Sequence, residues 1–436
     1  MTDRCFNESA ETMSRDELTA LQNARLRKIV AYAMEHNAFF RDHFASAGIH
    51  SPSDFNGLAD LNKLPFMSKE DFRREYPLEM CCTEKCNVAE VHMSTGSTGT
   101  PVAMPYTLND LDQWAECMAR CYVMAGAVKG DFCQITPAFG LFNGGFGCYH
   151  GARRLGLNIV PTGSMSMTRQ IKLARDFGTR VITGIASSAV RLMEHLEMSR
   201  SSLPDLKIGM FGAETFSESL KKRISSTLGI EAFDIYGMTE TGGIGTLGMD
   251  CRDHSGIHPW EDQYVIEIID PATGKVLPDG EPGELTVTSL TREALPVIRF
   301  RTGDLTRIVS REKCACGRTH LRLDPIYGRR DDMLIVSGVN FFPKQVEQLL
   351  LGIPGVLPEY QLVIQTRRDI RYLLVKVEAD PCVTPFTVKK LLKEELGFSL
   401  DCEILAPGSL PRQDGKAKRV FYENSDKCNT ETEIRK

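Results

Sequence analysis

The chain has 436 residues, 42% apolar and 25% charged, enough to bury a sizeable core and long enough for more than one domain. A formal net charge of −5 excludes a protein whose main business is binding a polyanion, because that footprint is basic. The opening MTDRCFNESAETMSRDE is acidic and polar where a secretory leader would be basic and then apolar, and no run of eighteen apolar residues follows, so the expectation is a cytoplasmic protein with no membrane or nucleic-acid partner.

Ser14-Arg-Asp-Glu17 has capping-box spacing and precedes apolar positions at Leu18, Leu21, Leu26, Ile29, Val30 and Ala33, which predicts an amphipathic helix. A second start signal, Ser68-Lys-Glu-Asp71, follows the Leu64-Pro65-Phe66 turn, so the first 80 residues read as a helical entry to the main domain. From about 88 to 240, apolar runs alternate with helical stretches: 88–92 then 108–125, 132–137 then 147–155, 181–184 then 187–198, and 208–211 then 217–228. Such alternation predicts an α/β domain on a largely parallel sheet, whose ligands gather at the carboxyl ends of the strands. The turns STGSTGT, GAET and YGMTE are therefore the places to seek chemistry. After Glu240, alternating runs between Pro, Asp and Gly turns predict hairpins or a small barrel, and from Met333 onward strands and two helices suggest a small α+β domain.

The first of those turns lies in MSTGSTGTP, residues 93–101. Its hydroxyls and glycines are the parts of an anion-binding nest, but the lysine and spacing of a P-loop are missing, and its own letters favour a plain polar turn.

The ordered set of motifs resembles the adenylate-forming superfamily, and within it phenylacetate-CoA ligases. The loop is similar to SSGTTGKP, with Thr100 where the family usually has lysine; Tyr236-Gly-Met-Thr-Glu240 resembles Y-G-x-[ST]-E; Arg301-Thr-Gly-Asp304, Gly328-Arg-Arg-Asp-Asp332 and Pro411-Arg-Gln-Asp-Gly-Lys416 resemble three further family motifs in the same order. LPFMSKEDFRREYP, GLFNGGFG, GAETFSE, EALPVIRFRTGDL and DDMLIVSGVNFFPKQVE extend the likeness over nearly the whole chain.

The resemblance implies an α/β fold with a large adenylation domain, 1–330, and a mobile α+β domain, 331–436, pivoting at Asp331. It implies ATP-dependent adenylation of an aryl acid such as phenylacetate, then transfer to coenzyme A, with handover to a carrier protein or an amine as the alternative. By the same resemblance Ser94, Thr95, Gly96, Ser97, Thr98 and Gly99 would hold the outer phosphates, and Thr239 would touch the α-phosphate. Glu240 would hold Mg²⁺, Asp304 the ribose hydroxyls, and Lys416 the α-phosphate and substrate carboxylate, with Arg329 on the ATP side. Gly212, Ala213, Glu214, Asp234, Ile235, Tyr236, Gly237 and Met238 complete the expected nucleotide and acid surfaces. The expected partners are thus a small carboxylic acid, ATP and CoA, and a homodimer is compatible with the reading.

Phe139, Phe142 and Gly145 lie in a segment of aromatics and small residues that suits either a flat apolar slot, shared with Ile235 and Met238, or ordinary core packing. Fourteen cysteines without a leader favour thiols, metal ligands or redox chemistry over a disulfide framework. Cys251, His258, Cys314 and Cys316 form the simplest structural zinc tetrad, with His254 and His320 as substitutes for the histidine; the competing reading is buried thiols and surface histidines.

Overall fold

A computed structural model describes residues 5–94, 101–141, 143–214, 216–332, 334–336, 339–367, 370–412 and 417–424. These fall into two compact units, one drawn from 1–213 and 224–326, the other from 214–223 and 327–436.

The first unit opens as the capping signals dictate. Ser14 N and Oγ donate to Glu17 Oε2 at 3.0 and 2.6 Å, starting the helix Arg15–His36, which buries Leu18, Leu26, Ile29, Val30 and Ala33. Ser68 N and Oγ donate to Asp71 Oδ2 at 2.8 and 3.0 Å, starting the helix Lys69–Arg74. The residue before that cap is pinned as well: Met67 N donates to Arg299 O at 3.2 Å and Arg301 N to Met67 O at 2.9 Å.

Among the described residues the main sheet has nine strands. Its parallel part runs Asn158–Val160, Phe132–Ile135, Val181–Ile185, Ile208–Gly212, Glu231–Ile235. The short strands Met249–Asp250, Ile257–His258, Arg322–Leu323 and Ile308–Ser310 extend it with antiparallel pairs. Helices Asn143–Leu155, Met167–Asp176, Ala186–Met198 and Glu218–Leu228 occupy the connections between parallel strands, the arrangement that buries a parallel sheet on both faces. The strand Asn158–Val160 and the helix after it were not anticipated.

Two expectations change. The strand expected at 88–92 becomes Glu90–Met93, which does not join the parallel sheet but pairs antiparallel with Ala103–Tyr106, from Glu90 opposite Tyr106 to Met93 opposite Ala103. The chain on either side of 94–102 thus makes a local ribbon, reached with less loop closure than a crossover. The helix expected at 147 starts at Asn143, so five of the eight residues of GLFNGGFG are helical; its glycines, poor helix formers, concealed that start.

The buried helix Leu108–Ala125 lies against Asn143–Leu155. Their approach depends on two glycines one turn apart: a Cβ at Gly147 would stand 2.4 Å from Trp114 Cζ2, and one at Gly151 2.2 Å from Met118 Cβ. The strand-rich part is an antiparallel meander, Tyr264–Ile269, Gly283–Ser289 and Phe300–Thr306.

The second unit has its own core. Its sheet runs Asp401–Leu405, Ile370–Ala379, Val356–Arg367, Val420–Asn424, with helices Pro343–Leu351 and Pro385–Leu396. Apolar side chains from one face of the central strands, among them Leu362, Val375 and Val377, meet Val346, Val388 and Leu392 of the helices. Glu378, buried, accepts from Gly408 N, Leu410 N and both Arg412 Nη atoms at 2.7–3.0 Å, fixing the chain just before 413–416. Ala417 N donates to Glu214 Oε1 at 2.6 Å.

Because neither Trp114 nor the neighbouring Ile244 Cγ2, 2.6 Å from the same added Cβ, can yield without repacking, Gly147→Ala is expected to lower stability by about 1–3 kcal/mol. Urea unfolding should show a lower midpoint at unchanged slope; an unchanged midpoint would contradict this packing.

Candidate active site

The parallel strands end on one edge, and the loop after Glu231–Ile235 carries YGMTE. Residues 236–248 fold back on themselves: Tyr236 N donates to Gly248 O at 2.9 Å and Gly243 N to Met238 O at 2.8 Å. A Cβ on Gly237 would lie 2.1 Å from Gly243 O, so only glycine permits the return. Aromatic donors satisfy the loop's carbonyls from outside. Tyr264 Oη reaches Thr241 O at 2.6 Å, Trp114 Nε1 reaches Ile244 O at 2.9 Å, and Trp260 Nε1 reaches Gly245 O at 2.8 Å.

Asn143, the first residue of its helix, bridges to the same loop. Its Nδ2 donates to Thr239 Oγ1 at 2.9 Å, and its Oδ1 accepts from Ile244 N at 3.3 Å. Gly145 lets that helix begin against the preceding turn, since a Cβ there would meet Ala138 O at 2.7 Å. Glu240 is 3% exposed, and Lys69 Nζ stands 3.3 Å from its Oε1, off the line of a hydrogen bond. A buried carboxylate needs such a counter-charge. Asp304 lies within the strand Phe300–Thr306 and accepts a 2.5 Å hydrogen bond from Tyr236 Oη, so the tyrosine of one motif holds the carboxylate of another.

Ser94 closes a small ring with Val102: its N donates to Val102 O and its Oγ accepts from Val102 N, both at 2.9 Å. Met93 N donates to Leu141 O at 2.8 Å, tying that ribbon to the turn carrying Phe139. Phe139, 36% exposed, meets Phe146 edge-on with ring centroids 5.5 Å apart. Behind Phe146 stand His92 and His150, centroids 5.4 and 6.2 Å away. Glu90 lies between the two imidazoles, 2.9 Å from His92 Nε2 and 3.3 Å from His150 Nε2; hydrogen bonds from His150 and His92 hold its carboxyl down at about 2.

Ile235 is buried in the core, while Met238 is half-buried and packs against it. Gly212 ends its strand where a Cβ would meet Ile235 O at 2.2 Å, and Ala213 follows in the left-handed region at φ 62°. Asp234 N donates to Asp250 Oδ1 at 2.7 Å. Arg329 is half-buried in the strand Gly328–Arg329, and Asp331 lies in the single turn Arg330–Asp332. Thr95, Gly96, Ser97, Thr98, Gly99, Phe142 and Lys416 lie outside the described residues.

The four cysteine and histidine residues singled out in the sequence converge. Ligand atoms of Cys251, His258, Cys314 and Cys316 all lie within 4.8 Å of one another. Cys251 Sγ is 3.8 Å from Cys314 Sγ, and Cys316 Sγ is 3.7 Å from His258 Nε2. A tetrahedron with zinc–sulfur bonds of about 2.3 Å has edges of about 3.8 Å, so the donor set has the right chemistry and spacing for that ion. The hydrogen bond from Cys251 and the nearby His258 hold the Cys316 thiol well below its usual range. The two substitute histidines are engaged elsewhere: His254 Nδ1 pairs with Asp250 at 2.8 Å, and His320 Nε2 with Ala10 O at 2.9 Å.

Residues 42–291 match the family model described as AMP-binding enzyme, and 338–424 match its C-terminal domain. A phenylacetate-coenzyme A ligase of Thermus thermophilus is 38% identical over 95% of this chain and 99% of its own length. The Escherichia coli protein of the same name is 40% identical over 94% of this chain and 96% of its own. The chain belongs to the phenylacetate-coenzyme A ligase family.

The structure agrees. A 2-hydroxyisobutyryl-CoA ligase crystallised in the postadenylation state superposes with a TM-score of 0.89 at 27% identity, covering 97% of this chain and 93% of that one. The same ligase is also known with 2-HIB-AMP and CoA in the thioesterification state. This phenylacetate-coenzyme A ligase family member is therefore an AMP-forming acid–thiol ligase, using ATP to adenylate a carboxylic acid and coenzyme A to accept the acyl group. Among its described residues no helix is long and apolar enough to cross a membrane. Sequence reasoning missed Lys69 and Asn143 in it. Lys69 sits inside the capping signal already noted, and Asn143 inside the glycine-rich segment, but neither position carries a sign of its distant partner.

Proposed function

We propose that this ligase activates phenylacetate or a closely related aryl carboxylic acid. The observation that carries the reading is the edge-to-face Phe139–Phe146 pair one helical turn from Asn143, which holds Thr239; relatives that match the chain nearly end to end are named for the same acid. An aryl ring suits such a wall because aromatic pairs favour edge and offset contacts. Phe139 lacks a hydroxyl, so the acid's ring finds an apolar partner there.

In the first half-reaction a carboxylate oxygen attacks the α-phosphorus, forming an acyl–O–P bond as the bond to pyrophosphate breaks. In the second, the thiolate of coenzyme A attacks the acyl carbon and AMP leaves with that oxygen. The assigned roles follow the chemistry of each group. Ser94, Ser97, Thr98 and the loop amides bind the outer phosphates; Thr239, oriented by Asn143, touches the α-phosphate; Asp304, held by Tyr236, accepts the ribose hydroxyls; Arg329 lies on the ATP side; Lys416 offsets charge between phosphate and carboxylate. Glu240 is the residue suited to hold Mg²⁺, a hard cation that would neutralise phosphate charge. Asp331 is the pivot of the C-terminal domain between half-reactions. The tetrad Cys251, His258, Cys314 and Cys316 holds zinc as a structural staple with no part in the chemistry.

Thr100 stands where the family commonly carries a lysine, and Lys69 supplies the missing charge. Its ammonium, 3.3 Å from Glu240, neutralises that carboxylate before the nucleotide arrives and then serves the phosphates. Lys69→Ala should lower kcat/KM for ATP by about 10²-fold, with Lys69→Arg partly restoring it; steady-state kinetics with both unaltered would remove Lys69 from the site.

The substrate assignment is tested by CoA thioester formation over a panel of carboxylic acids. Arylacetic acids should give the highest kcat/KM, and preferential use of straight-chain acids would overturn the assignment.

A further inference from the structure

Resting on the zinc reading above, we propose that metal bound at Cys251, His258, Cys314 and Cys316 locks the N-terminal strap, residues 5–14, onto the first unit, so that strap docking reports metal occupancy. The link is the tight turn from Cys314 to Arg318. Cys314 N donates to Arg318 O and Gly317 N to Cys314 O, both at 2.9 Å, and Gly317 takes φ +96°. Two of the four ligands therefore sit in a five-residue knuckle whose last residue is Arg318.

Arg318 and the two residues after it grip the strap. Arg318 is 1% exposed, and its Nε and Nη2 lie 2.7 and 2.6 Å from Glu11 Oε2; Glu11 is 0% exposed. Thr319 N donates to Glu11 O at 3.1 Å, Thr319 Oγ1 to Met13 O at 2.6 Å, and His320 Nε2 to Ala10 O at 2.9 Å. Arg15 donates to Thr319 O and makes two bonds with Glu261, whose carboxylate also accepts from Leu321 N. The strap supplies its own short turn: Asn7 Oδ1 accepts from Ala10 N, and Asn7 N donates to Glu11 Oε1.

The coupling has a direct physical basis. A buried carboxylate parted from its guanidinium is strongly destabilising, so Glu11 stays docked only while the knuckle aims Arg318 at it. Without a metal the four ligands meet only through approaches that involve sulfur, such as Cys251–Cys314 at 3.8 Å and Cys316–His258 at 3.7 Å, which are weak. Metal–ligand bonds are what would tie this turn, shaped by its own two backbone bonds, to Cys251 and His258.

The test uses the full-length protein, purified under reducing conditions without chelator. Metal analysis should find about one zinc per chain, the stoichiometry of one four-ligand site. Hydrogen exchange at the amides of Ala10, Glu11 and Thr12 should quicken about tenfold or more after chelator stripping and recover when zinc is returned. Glu11→Gln should quicken the same amides with zinc retained. Zinc present but strap exchange unchanged by stripping overturns the inference and leaves the zinc reading standing; no zinc bound or taken up overturns both. Exchange rising equally in the helix Pro385–Leu396 would mean global unfolding, and would also count against a local lock.

Discussion

A glycine-rich loop whose backbone is buried must find hydrogen-bond partners for its carbonyls or it cannot stay buried. In this ligase that constraint governs the site. The loop 236–248 carries Thr239 and Glu240, and its outward carbonyls are met by Tyr264 and by both tryptophans the chain possesses. Trp114 comes from the helix Leu108–Ala125 and Trp260 from the stretch just after His258, so two separate parts of the first unit converge on one turn. Arg292 closes the remaining side: a Cβ on Gly242 would lie 2.2 Å from its Nη1, and the guanidinium sits 4.6 Å from the Tyr106 ring centroid while donating to Pro105 O. The loop is thus held by groups that cannot follow a substrate, which is what pre-organised electrostatic catalysis requires.

Charge is disposed around that rigid turn with little surplus. Glu240 has Lys69 beside it, and Asp304 has the hydroxyl of Tyr236. The segment that delivers Lys69 is itself fixed by Arg299, which pairs in two bonds with Glu267, donates to Asn62 O and Leu64 O, and lies 4.1 Å from the Phe66 ring centroid. Met67 then bridges to Phe300, at the start of the strand that carries Asp304. One buried arginine therefore sets the relative position of a cation and a carboxylate that belong to different motifs. The same economy recurs at Arg120, which binds Asp262 and Glu116, and at Arg318, which binds Glu11.

What could be read from the sequence was what is decided locally. The capping boxes at Ser14 and Ser68, and the alternation from 132 onward that makes the parallel sheet, are short-range signals, and each appears where its pattern put it. The resemblance carried the family, because five motifs in order are far more specific than any one of them. What could not be read was pairing at long range. Glu90–Met93 has the composition of any strand, and only the returning chain decides that its partner is Ala103–Tyr106. Asn143 is one polar residue in a run of glycines, and Lys69 is a helix-start lysine like many others; both acquire meaning from residues about a hundred or more positions away. That His258, the histidine of the simplest tetrad, lies with the three cysteines fits what His254 and His320 already bind.

The account turns on a single bond: a carboxylate oxygen of the acid joined to the α-phosphorus of ATP at the turn that carries Thr239 and Glu240. The measurement that addresses it most directly is the fate of isotope from a carboxylic acid labelled with ¹⁸O in both carboxyl oxygens, turned over with ATP and coenzyme A and followed by mass spectrometry of the products. The account predicts one labelled oxygen in AMP, one in the thioester and none in pyrophosphate. Label in pyrophosphate or orthophosphate with unlabelled AMP would contradict it.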